Sequence, residues 1–393
     1  MSSRLFKTVF SVFSLVTICT ELSAQLVESG TETNGSRRNN ILTAVPFLLI
    51  TPDARAGGMG DAGVAVQPDA NAMSINPSKL AFIDRDYGFS VAYSPWLKNV
   101  VPDVSLTYLS GYSKLDERNT IGASLRYFNL GEIQLTDIGQ QDMGLYTPYE
   151  MALDVSLARQ FGESFSLGTA VRYIYSNLFS GQFAAGQQTK AGTAFAVDVS
   201  AYFKKPAVFL GRDAVLSAGV NVSNIGTKLG YVDGENGNFL PTNLKLGGAS
   251  TFIIDDYNQF TIALDFNKLL VPTQPVYDEE GRILSGKDPN RSVTSGIFGS
   301  FSDAPGGFPE ELREISIATG LEYWYNQQFG LRAGYFYESP QKGNRRYMTV
   351  GAGLKYNVFN IDFAYLLANA QKSALANTLR FSLIFNFGDL KSY

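Results

Sequence analysis

The chain contains no histidine and a single cysteine, Cys19. That removes Ser-His-Asp and Cys-His nucleophiles and histidine-based metal sites together, since each needs an imidazole as base or ligand. Acids remain. Asp53 with Asp61, and the adjacent Asp255 and Asp256, are carboxylate pairs that could hold a hard cation, but neither repeats the spacing of an EF-hand loop. Asp255-Asp256 reads more simply as a polar turn. Gly57, Gly58, Gly60 and Gly63 suggest a phosphate-cradling loop, yet no Lys-Ser/Thr follows them and no strand–loop–helix frame surrounds them. The expectation is a protein that is not an enzyme and needs no cofactor or metal.

The remaining charges sit in an unusual setting. Asp154, Arg172, Asp198, Asp265, Glu322, Arg332, Asp362 and Arg380 each lie inside a run that alternates large apolar residues with small or polar ones. Tyr87 to Ser94 shows the rhythm, with Tyr87, Phe89, Val91 and Tyr93 separated by Gly88, Ser90, Ala92 and Ser94. A strand reverses its side chains at each residue, so one face is greasy and the other lean. In a soluble sandwich the lean face would meet water and the greasy face a second sheet. Mid-strand charges on the lean face, with tyrosines crowding the ends of the greasy one, favour instead a barrel with a polar lumen and an aromatic girdle. The expected class is all-β, a transmembrane antiparallel barrel of about fourteen strands with an N-terminal plug in the lumen. On that reading Lys at Leu264 or Phe363 should damage assembly more than Lys at Ala263 or Ala364.

Composition agrees: 38 glycines, 21 tyrosines and 28 phenylalanines, with a net charge of −4. Basic residues are scattered singly, which gives no footprint for nucleic acid. Residues 1–24 read as a signal peptide: Arg4 and Lys7, an apolar stretch from Val9 to Ile18, and Leu22-Ser23-Ala24 before the cut. A lipoprotein would need Cys19 acylated, for which Val16-Thr17-Ile18 is a poor lead-in. After residue 24 no apolar run is long enough for a spanning helix.

Fourteen strands are predicted at 87–97, 103–113, 119–129, 149–160, 165–176, 193–204, 213–224, 243–254, 259–268, 313–325, 328–338, 346–356, 359–368 and 376–388. The barrel thus occupies 87–388, with a periplasmic tail at 389–393. Connections at 130–148, 177–192, 225–242 and 269–312, after strands 3, 5, 7 and 9, are long, while those after strands 4, 8, 10 and 12 are tight turns such as Asp255–Asn258 and Asn326–Gln328. Short turns belong to the periplasm and long loops to the cell exterior. Both termini are therefore expected in the periplasm of a Gram-negative outer membrane.

Residues 25–86 do not alternate. Gln25 to Asn40 is polar, and Ile41 to Ile50, including Phe47, Leu48, Leu49 and Ile50, is strongly apolar. Pro52 to Gly63 and Asn71 to Ser78 follow, with Asn76-Pro77 in the second. Glycine lets backbone pack closely on backbone. Gly57, Gly58 and Gly60 therefore suit a compact plug whose Asp53, Arg55 and Asp61 pair with lumen charges. A disordered leader would not explain the apolar run.

Ala44 to Gly63, with Gln67-Pro-Asp-Ala70 and Asn76-Pro-Ser-Lys-Leu-Ala-Phe82, resembles the PorV family, outer-membrane barrels of the type IX secretion system of Bacteroidetes. That family is similar in architecture to FadL-like fourteen-stranded barrels with an N-terminal plug, although the Asn-Pro-Ala of FadL-like plugs stands here as Asn76-Pro77-Ser78. The resemblance implies an adaptor that binds the folded C-terminal signal domain of secreted cargo at the cell surface. It would take cargo from the translocon barrel and present it to an attachment complex with a sortase-like protease, surrounded by outer-membrane lipid and lipopolysaccharide. The long loops carry apolar residues suited to protein contact: Phe179, Phe183, Phe239, Leu240, Ile297, Phe298, Phe301 and Phe308. The alternative is a FadL-like transporter of hydrophobic small molecules, with 41–50 lining its pocket.

Overall fold

In a computed structural model, fourteen strands close into one antiparallel barrel. The described residues are 39–96, 103–136, 142–178, 183–184, 187–234, 237–278, 280–368 and 378–388. The expected signal peptide, the tail at 389–393 and Phe179 lie outside them. The strands are β1 (Tyr87–Pro95), β2 (Ser105–Lys114), β3 (Asn119–Asn129), β4 (Tyr149–Phe161), β5 (Phe165–Asn177), β6 (Gly192–Phe209) and β7 (Arg212–Gly226). They continue as β8 (Asn243–Ile253), β9 (Asn258–Leu269), β10 (Ile315–Tyr325), β11 (Phe329–Tyr337), β12 (Arg346–Tyr356), β13 (Phe359–Leu367) and β14 (Leu379–Phe387). Each pairs with the next, and β14 closes on β1 in a ladder from Tyr87↔Phe387 to Tyr93↔Phe381. Closure leaves no barrel edge unpaired, the condition for strands to cross hydrocarbon.

All fourteen predicted strands are present with ends shifted by a few residues. The largest shift is β6, which runs on to Phe209 instead of stopping near 204. Faces follow the pleat. In β5, Phe165, Leu167 and Val171 point outward and are exposed, whereas Ser166, Ala170, Arg172 and Ile174 point inward and are buried. Outward aromatics gather in two bands. Tyr87–Phe387, Phe161–Phe165 and Tyr356–Phe359 lie at one end with ring centroids 5.3, 6.4 and 5.9 Å apart. Tyr127–Tyr149 and Tyr149–Tyr175 lie at the other, 5.6 and 5.9 Å apart. Amphipathic rings take this place at both faces of a bilayer. Among the described residues no helix is long and apolar enough to cross a membrane, which leaves crossing to the strands.

Connections separate cleanly by end. The even-to-odd ones are turns of a few residues at 115–118, 162–164, 210–211, 254–257, 326–328 and 357–358, and both ends of the barrel sequence share their side. The odd-to-even ones are longer and carry structure that periodicity did not reveal. Short hairpins pair Ile133–Thr136 with Asp142–Tyr146, Phe183–Ala184 with Gln187–Gln188, and Val276–Tyr277 with Ile283–Ser285. The longest loop also contains the helices Val293–Gly299 and Phe308–Arg313.

Candidate functional site

The N-terminal segment occupies the lumen. A 3-10 turn at Pro46–Leu49 is followed by α1 (Ala54–Gly58) and by 3-10 turns at Ala72–Ser74 and Pro77–Phe82. Phe47, Met59, Ala62, Val64, Ala65 and Leu80 are buried, and Phe47 stacks on Phe128 of β3 at 6.1 Å. The segment 77–82 packs on β3, β4, β5 and β6, while α1 packs on β11 to β14, so the plug touches opposite walls.

Glycines on the wall make this approach possible. A Cβ on Gly219 would lie 2.1 Å from the Val64 oxygen, and one on Gly334 would lie 2.1 Å from the Gly60 nitrogen. Gly60 itself has φ +68, a conformation open to glycine and costly for other residues. The plug backbone there rests directly on the barrel backbone.

Charge pairing fixes the plug's orientation. Arg55 grips Glu322 of β10 with Nε and Nη2 at 2.9 and 2.8 Å, and Nη1 reaches Asp69 at 3.1 Å. Arg332 donates to Glu322 and to Asp362 at 2.7 and 2.6 Å, extending the cluster across β10, β11 and β13. Asp61 accepts from Arg380 of β14 and from the Tyr347 hydroxyl. Asp265 of β9 accepts from the Gly63 and Val64 amides at 2.7 and 2.9 Å. On the far wall Arg172 joins Asp154 and Asp198, and Arg126 donates to the Leu48 carbonyl at 2.8 Å. A buried charge is tolerable only when paired and hydrogen-bonded, which accounts for charges inside strands.

Arg55 and Asp61 both lie against lumen charges, Arg55 against Glu322 and Asp61 against Arg380. Asp53 does not pair with a lumen cation. Its carboxylate caps α1, accepting from the Ala56 amide at 2.8 Å. Burial, with the Asp69 carboxylate adding to it, pushes that carboxyl up to about 6. Asn76 and Pro77 form the second clamp: Asn76 Nδ2 donates to the Val64 and Ala201 carbonyls at 2.9 and 3.2 Å, and Asn76 caps Ser78. Lys79 escaped the sequence reading; its ammonium is buried and donates to the Gly63 carbonyl at 2.7 Å. Serine hydroxyls were missed too, such as Ser382 accepting from the Ala54 amide at 2.8 Å. A small polar residue on the lean face carries no distinguishing signal.

Two cavities flank the plug. One, about 100 Å³ at the loop end, is lined by Leu48, Leu49, Ile50, Leu269, Phe336 and Lys245 among others. The other, about 240 Å³ at the turn end, is polar, with Arg55, Asp84, Arg85, Lys355 and Asp362 in its wall.

The loop-end aromatics divide. Phe239 and Leu240 turn inward and are buried, which corrects their reading as contact residues. Leu240 joins the cluster around Phe47 and Leu229, and Phe239 lies under Gly296 with the Lys228 ammonium over its ring at 4.4 Å. Burial of a ring at the plug's upper edge outweighs presenting it to water. Phe298, Phe301 and Phe308 are exposed at 74, 50 and 73 %, with Leu312 at 52 % and Ile297 half-buried beside them. Beneath them a buried network of Lys268, Glu311, Glu314 and Lys342 ties the long loop to the barrel mouth, with contacts of 2.6–3.0 Å. Phe183 belongs to a two-residue strand of the 178–191 loop.

Residues 33–276 match the family described as "Type IX secretion system protein PorV". The chain belongs to the PorV family. No curated protein matches it. Among solved structures this PorV-family barrel is similar to the P. putida toluene transporter TodX, at 13 % identity over 86 % of this chain and 99 % of that one, TM-score 0.53. A TodX deltaS2S3 mutant, described as a monoaromatic hydrocarbon channel, gives 15 % identity, 85 and 99 % coverage and TM-score 0.51. At such identity the likeness speaks for the fold alone, a closed antiparallel β-barrel.

Proposed function

We propose that this outer-membrane PorV-family barrel is an adaptor of type IX secretion that works through its surface. It would receive the C-terminal signal domain of secreted cargo from the translocon barrel and pass it to a cell-surface attachment complex with a sortase-like protease. One observation carries the reading: the plug bridges the lumen between opposite walls, while the loop end displays Phe298, Phe301 and Phe308 on a loop anchored by buried ion pairs. Large apolar residues exposed together on a rigid base are a costly surface unless a partner covers them. Loop parity supports an orientation with long loops outside and termini in the periplasm. Phe179 and Phe183 remain candidates for the same contact.

Transport of hydrophobic compounds is the second reading, favoured by the partly apolar cavity behind Leu48 to Ile50. Its size, about 100 Å³, suits a small ligand only. Replacing Phe298, Phe301 and Phe308 by serine separates the two. The adaptor reading expects a normally folded, heat-modifiable barrel in cells that retain cargo and lose translocon association. Undiminished secretion and association from that variant would refute it.

A further inference from the structure

The plug segment begins at the end of the barrel opposite to β1. Asn39 donates its amide to the Gln341 carbonyl at 2.9 Å, and its Nδ2 donates to the Gln274 carbonyl and to Glu310 Oε1 at 3.0 and 3.1 Å. Further on, the Ala44 amide donates to the Phe239 carbonyl at 2.9 Å. Gln341 lies between β11 and β12, Gln274 and Glu310 between β9 and β10, and Phe239 between β7 and β8. All are odd-to-even connections, so Asn39 sits at the loop end. At the turn end the Asp86 amide donates to the Phe387 carbonyl at 3.1 Å, and the Lys114 amide donates to the Asp86 carbonyl at 2.7 Å. Residues 39–86 therefore cross the barrel once, from loop end to turn end.

Consecutive Cα atoms are about 3.8 Å apart, so the chain ahead of Asn39 starts at the loop mouth. Two routes would return it to the turn end. Through hydrocarbon, a single polar stretch would leave its backbone amides and carbonyls unpaired, which lipid does not tolerate. Through the lumen, it would pass Arg55, Asp61 and Arg172, whose charges already have partners. It would also bring in Glu28, Glu32, Arg37 and Arg38 and strip them of water. Running outward from the loop mouth carries neither penalty.

The root of this stretch belongs to the exposed aromatic face. Glu310, which holds Asn39, is two residues from Phe308 on the helix Phe308–Arg313. Two helical residues are separated by roughly 3 Å along the axis. A standard protein interface covers about 800 Å² on each partner, a disc of roughly 16 Å radius. A partner seated on Phe308 therefore covers Asn39 as well. We propose that residues 25–38 form an arm that leaves by the loop-end mouth, begins the mature chain on the cell exterior and meets the protein docked on Phe298, Phe301 and Phe308. The exterior location rests on the orientation given above, and the partner, a cargo signal domain, on the proposed function. Tyr87 and Phe387 keep to the turn side, so only the leading terminus departs from the expected periplasmic location.

Single cysteines test it, the native Cys19 lying in the expected leader. Ser29→Cys marks the arm, Lys287→Cys the longest loop and Glu117→Cys a turn. An impermeant maleimide on intact cells should label positions 29 and 287, and position 117 only once the outer membrane is opened. Labelling of 287 on intact cells but of 29 only after opening would return the arm to the periplasm and overturn the proposal with the orientation intact. Labelling of 29 only after unfolding would place the arm in the lumen and overturn it equally. Labelling of 117 but not 287 on intact cells would overturn orientation and proposal together. The contact is read on the detergent-purified barrel with a purified, folded cargo signal domain added. Labelling of Asn40→Cys, at the exposed root, and of Lys287→Cys, whose native ammonium donates to Ser302 beside Phe301, should slow by roughly tenfold, with Glu117→Cys unchanged. Slowing at 287 alone would overturn the arm's contact and leave the adaptor reading standing, whereas slowing at neither would overturn both.

Discussion

Gly334→Ala puts the plug–wall contact to a quantitative test. The new methyl would sit 2.1 Å from both the Gly60 nitrogen and the Met59 carbonyl carbon, and 2.6 Å from the Met59 oxygen. All three are backbone atoms, so no rotamer change relieves the clash, and Gly60 at φ +68 has little freedom to withdraw. Overpacking of this kind costs about 1–3 kcal/mol, and a cost of about 2 kcal/mol shifts the balance between docked and undocked plug by roughly 30-fold. Limited trypsin digestion of the detergent-purified barrel reads that balance directly, because Arg55 and Lys79 are shielded while the plug is docked. Cleavage at those two residues should accelerate by roughly that factor. Gly248→Ala is the control, its added methyl meeting only the Ser217 oxygen at 3.6 Å. Equal cleavage of Gly334→Ala and the unaltered protein would mean that the plug does not rest on β11, and the account of the lumen would fail.

Two further outcomes follow from the plug and the loops. The Asp53 carboxyl, raised from 3.8 to about 6, holds its proton more tightly folded than unfolded, so its contribution to stability falls as pH climbs between those values and stays low above. Asp53→Asn keeps the capping oxygen and should stabilise the barrel at pH 8 by on the order of 2 kcal/mol, with little change at pH 4; thermal unfolding at both pH values decides, and a loss at pH 8 would contradict the assignment. A protease site placed within 280–290 should be cut on intact cells, whereas one replacing 255–258 should survive until the outer membrane is opened; the reverse pattern would invert the orientation.

Much of this architecture was legible in the sequence, because a strand in contact with lipid must alternate and cannot hide its period. Phe165, Leu167 and Val171 announce their face whatever lies around them. The plug was legible as a segment that fails to alternate, and Arg55 and Asp61 as charges in need of partners. Their actual partners, Glu322 and Arg380, were not, since lumen charges on many strands were equally available and register alone selects among them. Asp53 was misread for a related reason: capping a helix five residues long is a local demand that competes with long-range pairing. The expected tolerance of lumen positions also gives way. Ala263 and Ala364 are each 2 % exposed; Ala263 lies in the cluster with Met59 and Val64, and Ala364 faces Gly58, so a lysine at either would collide with the plug. Phe239 and Leu240 look like Phe298 in sequence, and only the folded loop distinguishes a ring that roofs the plug from one that faces outward.

The two-walled grip of the plug bears on how such a barrel can be made. Its Asp61 meets Arg380 across 319 residues and its Ala54 amide meets Ser382 across 328, so the first part of the chain exported waits for the last strand. Closing an empty cylinder first would leave Arg380 and Glu322 facing a water-filled lumen, and the plug would then have to displace that water and reach both walls through an open end. Seating the plug before the β1–β14 seam closes avoids that passage, and the cylinder is then cast around its contents.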